Sequence, residues 1–185
     1  MAFRRRRPPV LLILGLVVAV IVIVVLALPG SQSSPDQQSY LDIVRPQLQF
    51  SAQEGAVVRD MRANAATFDR TTLLQRVNDL VGASAGVQRE VGLVGPPGSL
   101  GSSGGHLEQA MKLRAQGSAS LRDGLQAAMS GAPGNQAQTQ LARAGQELID
   151  ADGLYGSFLR ALPRSQAASQ PHLGSRITYP APRTV

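Results

Sequence analysis

Hydrophobic and polar positions follow three regimes along this chain. From Val10 to Leu28 the residues read VLLILGLVVAVIVIVVLAL, nineteen positions without one polar side chain. From Leu41 to Leu162 apolar residues recur at steps of three and four, the period of an amphipathic helix. After Arg164 the periodicity stops, and the chain becomes polar, basic and Pro/Ser-containing.

The first regime predicts a transmembrane helix. Nineteen helical residues span roughly 28 Å, the thickness of a hydrocarbon core. Sixteen of them are Leu, Ile or Val, which favours insertion by roughly 5 to 10 kcal/mol. A cleaved signal peptide, with Val25 and Ala27 as the small residues before the cut, is the alternative. The run is longer than a usual signal core, so an uncleaved anchor from Val10 to Leu28 is the expectation. Arg4, Arg5, Arg6 and Arg7 precede it, and no cation follows until Arg45. The positive-inside rule then holds residues 1–9 in the cytoplasm and sends the rest outward. Gly15 and Ala19 are spaced for close approach of two such helices, a weak signal in so short a run.

After a linker at 29–34, the second regime predicts four helices. Helix A starts with Ser34 as cap, Pro35 at the first position and Gln37 completing a capping box, and runs to about Ala63. Leu41, Val44, Leu48, Ser51, Gly55 and Val58 share one face, and Pro46 should kink it near Asp42. Helix B begins at Asp69 as N-cap. Leu73, Val77, Leu80, Ser84, Val87, Val91 and Val94 form an unbroken heptad stripe that ends before Pro96 and Pro97. Residues 95–105 (GPPGSLGSSGG) read as a flexible connection. Helix C, from about His106 to Met129, carries Leu107, Met111, Ser118, Leu121, Leu125 and Ala128, with Arg114 interrupting the stripe. Gly117 and Gly124 weaken this helix and permit close contact. Asn135 caps helix D, whose stripe is Leu141, Ala144, Leu148, Ala151, Tyr155, Phe158 and Leu162, ended by Pro163. The predicted fold is therefore all-α: one transmembrane helix, an antiparallel four-helix bundle-like domain over 35–163, and a disordered basic tail over 164–185.

Charge changes this picture little. The net +6 is carried by the two ends, while Asp36 to Asp152 holds ten basic against twelve acidic residues. A near-neutral folded part with mixed signs argues against nucleic acid as a partner. Cysteine is absent, which excludes disulfides, thiol catalysis and thiolate metal sites. Aromatics are 4% of the chain and Trp is absent, so the core must be built from Leu, Val and Ala.

No catalytic constellation emerges. His106 and His172 are the only histidines, and no third ligand stands at metal spacing beside either, so neither a metal nor a cofactor is expected. Glu147, Asp150 and Asp152 read as a solvated acidic face. Arg114 is the one charge on a buried stripe. It either pairs with an inward acid, binds an anionic ligand or partner between helices, or snorkels to the bundle edge, the last being the expectation.

The segments RPQLQFSAQEGAVVRDMR (Arg45 to Arg62), PPGSL and HLEQAMKLRAQGSASLRDGL (within Pro96 to Leu125), with the Arg-rich start and anchor, resemble actinobacterial single-pass envelope proteins of unknown function. The chain also resembles the anchored helical sensor modules of bacterial receptors, but lacks a second membrane helix and a cytoplasmic output domain. The resemblance implies location and topology, not activity. The expected role is a non-enzymatic, extracytoplasmic interaction or assembly module. Its partners would be the bilayer and another envelope protein or itself, with no identifiable small-molecule substrate. A ligand-sensing module acting through a partner is the alternative.

Overall fold

The stripes of helices A, B and D turn inward, whereas on helix C the buried face runs through Ala110, Gly117, Gly124 and Ala127 and leaves the predicted Ala128 exposed. The computed structural model describes residues 35–173, all within the unit Ser33–Val185. Its helices are α1 (Pro35–Ala63), α2 (Arg70–Leu93), α3 (Ser102–Met129), α4 (Gly134–Ala161) and the short α5 (Arg164–Ala168). Single 3-10 turns occur at Ala65–Thr67 and Gly98–Leu100, and no strand occurs among the described residues. The segment Val10–Leu28, the arginines Arg4 to Arg7 and the cap Ser34 lie outside the described residues. No helix within them is long and apolar enough to cross a membrane.

The stripes of α1 and α2 are buried as their spacing requires. Leu41, Val44, Leu48 and Ser51 are wholly buried on α1, and Leu73, Val77, Leu80, Ser84, Val87 and Val91 are buried on α2. Asp69 caps α2, its carboxylate accepting the Thr72 amide at 2.9 Å and the Thr72 hydroxyl at 2.6 Å. Those bonds hold its pKa below the usual carboxylate value. α1 continues through Pro46, which lies on its exposed side.

Two apolar clusters define the topology. One joins the start of α1 (Tyr40, Leu41, Val44, Leu48), the end of α2 (Val87, Val91), the start of α3 (Leu107, Met111) and the end of α4 (Tyr155, Phe158). The other joins the end of α1 (Val58, Met61), the start of α2 (Leu73, Val77, Leu80) and Leu148 of α4, with Leu121, Leu125 and Met129 of α3 against it. Start meets end at each step, which makes a bundle of antiparallel neighbours. Full burial of each large side chain contributes about 1.5–3 kcal/mol. The Tyr155 and Phe158 rings, with centroids 6.1 Å apart, supply much of the little aromatic area there is.

α3 and α4 approach closest because α3 presents glycine where α4 presents leucine. A Cβ on Gly117 would stand 2.9 Å from Leu148 Cγ, and one on Gly124 would stand 2.8 Å from Leu141 Cγ. Real Cβ contacts are longer, so the small residues set the helix spacing.

Three sequence expectations are corrected. The connection at 95–105 is built rather than loose. Leu100 is 5% exposed in the core, Gly101 takes φ +50°, and α3 starts at Ser102, four residues before His106. Gly104 allows this, since a side chain there would collide with the Pro96 ring. At α4 the N-cap position falls to Pro133, and Asn135 sits within the first turn, its carbonyl accepting the Thr139 hydroxyl at 2.7 Å. The folded domain also passes Pro163, because α5 and the residues to Leu173 pack against α1 and α4. Pro163 ends α4 and then serves as N-cap of α5.

Candidate functional site: two seams on α1

The first seam lies between α1 and α4 and is filled by residues 164–173, here the strap. Gln37 donates to Gln166 at 3.1 Å, and Gln166 donates back to Gln38 at 3.0 Å. Tyr155 donates its hydroxyl to the Pro171 carbonyl at 2.9 Å. Leu173 ends the strap 2% exposed. Its carbonyl lies over Gly55, where any Cβ would strike it. Burial holds the Tyr155 phenol protonated, well above its ordinary value, despite the opposing charge of Arg114.

Beneath the strap sits Arg114, which the sequence expectation placed at the bundle edge. It is 3% exposed. One guanidinium nitrogen meets Asp152 of α4 at 3.3 Å, and another donates to the Ser51 carbonyl of α1 at 2.8 Å. A Cβ at Gly55 would stand 3.4 Å from that second nitrogen, an ordinary contact. Desolvation lowers the Arg114 pKa, with Asp152 first and Glu54 next opposing the shift. The Arg114 side chain therefore clamps α1, α3 and α4 together. Of the readings open to it, the pair with an inward acid is the one observed; outward snorkelling is not.

The acids of α4 are corrected with it. Asp152 pairs with Arg114, and Glu147 accepts the Ser120 hydroxyl at 2.7 Å and Arg143 Nε at 2.9 Å. Asp150 alone keeps the exposed position, accepting from Gln146 at 2.8 Å. A further polar contact, Ser84 to Ser118 at 3.0 Å, spans α2 and α3 within the core. The two serines stood on the predicted stripes, where they read only as weak core positions.

The second seam lies between α1 and α2 and is open. It forms a groove of about 650 Å³ with Leu80 and Val87 among its lining residues and Phe50 and Val57 on the α1 wall. Phe50 is 55% exposed, an unusual state for the ring of a chain so poor in aromatics. Ile43 and Val57, one heptad to either side on α1, are 56% and 38% exposed. On α2 the wall is low: Ala83 and Gly86 line it, and a Cβ on Gly86 would meet nothing. The charged lining residues are Glu54, Asp79, Glu90 and Arg76. Arg76 is engaged, bonding Asp60 at 2.8 Å and lying 4.4 Å over the Phe68 ring. Glu54 is 7% exposed, and its Oε1 has no hydrogen-bond partner. Burial raises its pKa; Arg114 and the hydroxyls of Ser84 and Ser51 oppose the shift.

This groove is what the sequence reading missed. Its signal was present in the seven-residue spacing of Ile43, Phe50 and Val57, a second stripe on α1 overshadowed by the stronger one through Leu41 and Leu48. Among the described residues, no group of three or more His, Asp or Glu is arranged to hold a metal. His106 lies in α3, and His172 lies exposed on the strap. Comparison with known protein families, characterised proteins and solved structures yields no match.

Proposed function

We propose that this chain is a non-enzymatic interaction module, held to the outer face of a cytoplasmic membrane by Val10–Leu28, with the α1–α2 groove as its working surface. The anchor and its orientation rest on the apolar run and the arginines Arg4 to Arg7. The interaction reading rests on one observation, the exposed Phe50 and Val57 in an open apolar groove. A monomer gains by turning such side chains inward. An apolar strip with charged residues beside it marks a binding surface.

The test is photo-crosslinking in intact cells. A probe at Phe50 or Gly86 is expected to capture a defined protein, whereas one at the exposed Lys112 of α3 is not. Equal labelling from all three positions removes the groove from its role. Protease added to intact cells or spheroplasts is expected to cleave the helical domain. Full protection of it reverses the orientation.

A second reading has an observation of its own. The groove volume falls within the few hundred to about 1,000 Å³ typical of small-molecule pockets. Thermal stabilisation of the full chain by a small apolar compound, lost in Gly86→Leu, would favour this ligand-sensing alternative.

A further inference from the structure

The groove also carries information about what it binds, and this inference rests on the interaction reading above. Its walls repeat every seven residues. Phe50 and Val57 stand seven apart on the α1 wall, and Asp79 and Gly86 stand seven apart on the α2 wall. Seven helical residues rise about 10.5 Å, which is the repeat that another helix presents along its own seam. An extended strand repeats its side chains on one face about every 6.8 Å and falls out of step with such walls. The low wall at Ala83 and Gly86 lets a helix backbone come close to α2, opposite the Phe50 ring.

The charges choose among helices. With Arg76 bonded to Asp60 and Glu54 facing the charge of Arg114, the lining leaves two acids, Asp79 and Glu90, to set the charge of the groove. A second copy of the same face would set these acids against identical acids. A helix with an apolar seam and Lys or Arg beside it would meet Phe50 and Val57 with the seam and the acids with the cations.

We propose that the α1–α2 groove receives an amphipathic helix with basic flanks from a partner protein. The partner's cations meet Asp79 and Glu90, and its apolar seam covers Phe50.

The experiment uses the purified full chain in phosphatidylcholine nanodiscs, which carry no net lipid charge. Two synthetic helical peptides with the same Leu seam are titrated, one flanked by Lys and Arg and the other by Glu. The basic peptide is expected to bind about tenfold more tightly or better at low salt, with the advantage shrinking at about 0.5 M salt. Phe50→Ala and Gly86→Leu are each expected to weaken it about tenfold. Lys112→Ala should leave it unchanged. Phe50 is exposed and Gly86 half-buried with open space beside it, and both variants are checked for native helicity. If the two peptides bind equally and depend on Phe50, the basic partner is wrong and the interaction reading stands. If neither binds, the helical partner is wrong; absence of crosslinks from Phe50 in cells then removes the interaction reading as well. Phe50-dependent dimers in sedimentation would make a second copy the occupant and overturn the proposal.

Discussion

The two flanks of α1 met the same problem and solved it differently. Toward α4 the helices leave a seam that holds the charged group of Arg114, and residues 164–173 close over it. Toward α2 the helices leave a seam of apolar walls, and nothing among the described residues closes it. A buried guanidinium is costly unless every bond to it is held in place. An exposed Phe costs the monomer little, because its penalty is only the hydrophobic gain forgone. The closed seam is thus a matter of stability, and the open one is free to serve recognition.

The largest effect expected from breaking this contrast comes from Arg114→Met. It removes the guanidinium bonds to Asp152 and the Ser51 carbonyl and should lower unfolding free energy by about 3 kcal/mol. Urea denaturation of the full chain would show it. Adding Asp152→Asn should recover part of the loss, and failure to do so would mean the pair is not the source. Leu173→Ala removes a buried side chain from the strap and should cost about 2 kcal/mol, the low end for such changes, because a terminal strap can detach locally. Hydrogen exchange should then speed up across residues 164–173. Gly55→Ala, which collides with the Leu173 carbonyl, should produce the same exchange pattern without touching Leu173.

Smaller effects separate the packed glycines from the open ones. Gly117→Ala gains helix propensity but pushes on Leu148, so a net loss of about 1 kcal/mol is expected. Gly82→Ala meets nothing and should stabilise by about 0.5–1 kcal/mol. Thermal melts of the two variants should therefore move in opposite directions.

The smallest expected effect is at Glu54. Its folded pKa is raised above the unfolded one, chiefly by burial, so ionisation weakens the fold. That penalty is absent below the ordinary value of 4.5, where both states are protonated, and is complete once pH exceeds the raised folded value. Glu54→Gln should accordingly be more stable than the parent at pH 7, with the difference vanishing toward pH 4. Urea midpoints at the two pH values would check this.

Much of the bundle is legible in the sequence. The heptad stripes of α1, α2 and α4, the Asp69 cap and the helix-ending Pro163 are local signals. The period of a helix and the geometry of a cap need only residues a few positions apart. The start of α3 lies four residues before the expected one, because GPPGSLGSSGG reads as a linker by composition and only the pocket for Leu100 orders it. The candidate site was legible in part. Arg114 stood out as an ion on an apolar stripe, but its neighbours did not. Ser51 is 63 residues away and Asp152 is 38 away, and no spacing rule relates them.

By itself the sequence determined that the chain makes long amphipathic helices, where most of them begin and end, and which faces turn inward. It also carries the apolar run on which the anchor is proposed. Periodicity and capping act over one or two turns, so these outcomes are written locally. Tertiary structure alone decided that Arg114 is buried, that the strap belongs to the core, and that one seam of α1 closes while the other stays open. Each depends on which helix lies across from which, and on how much volume the facing side chains leave between them.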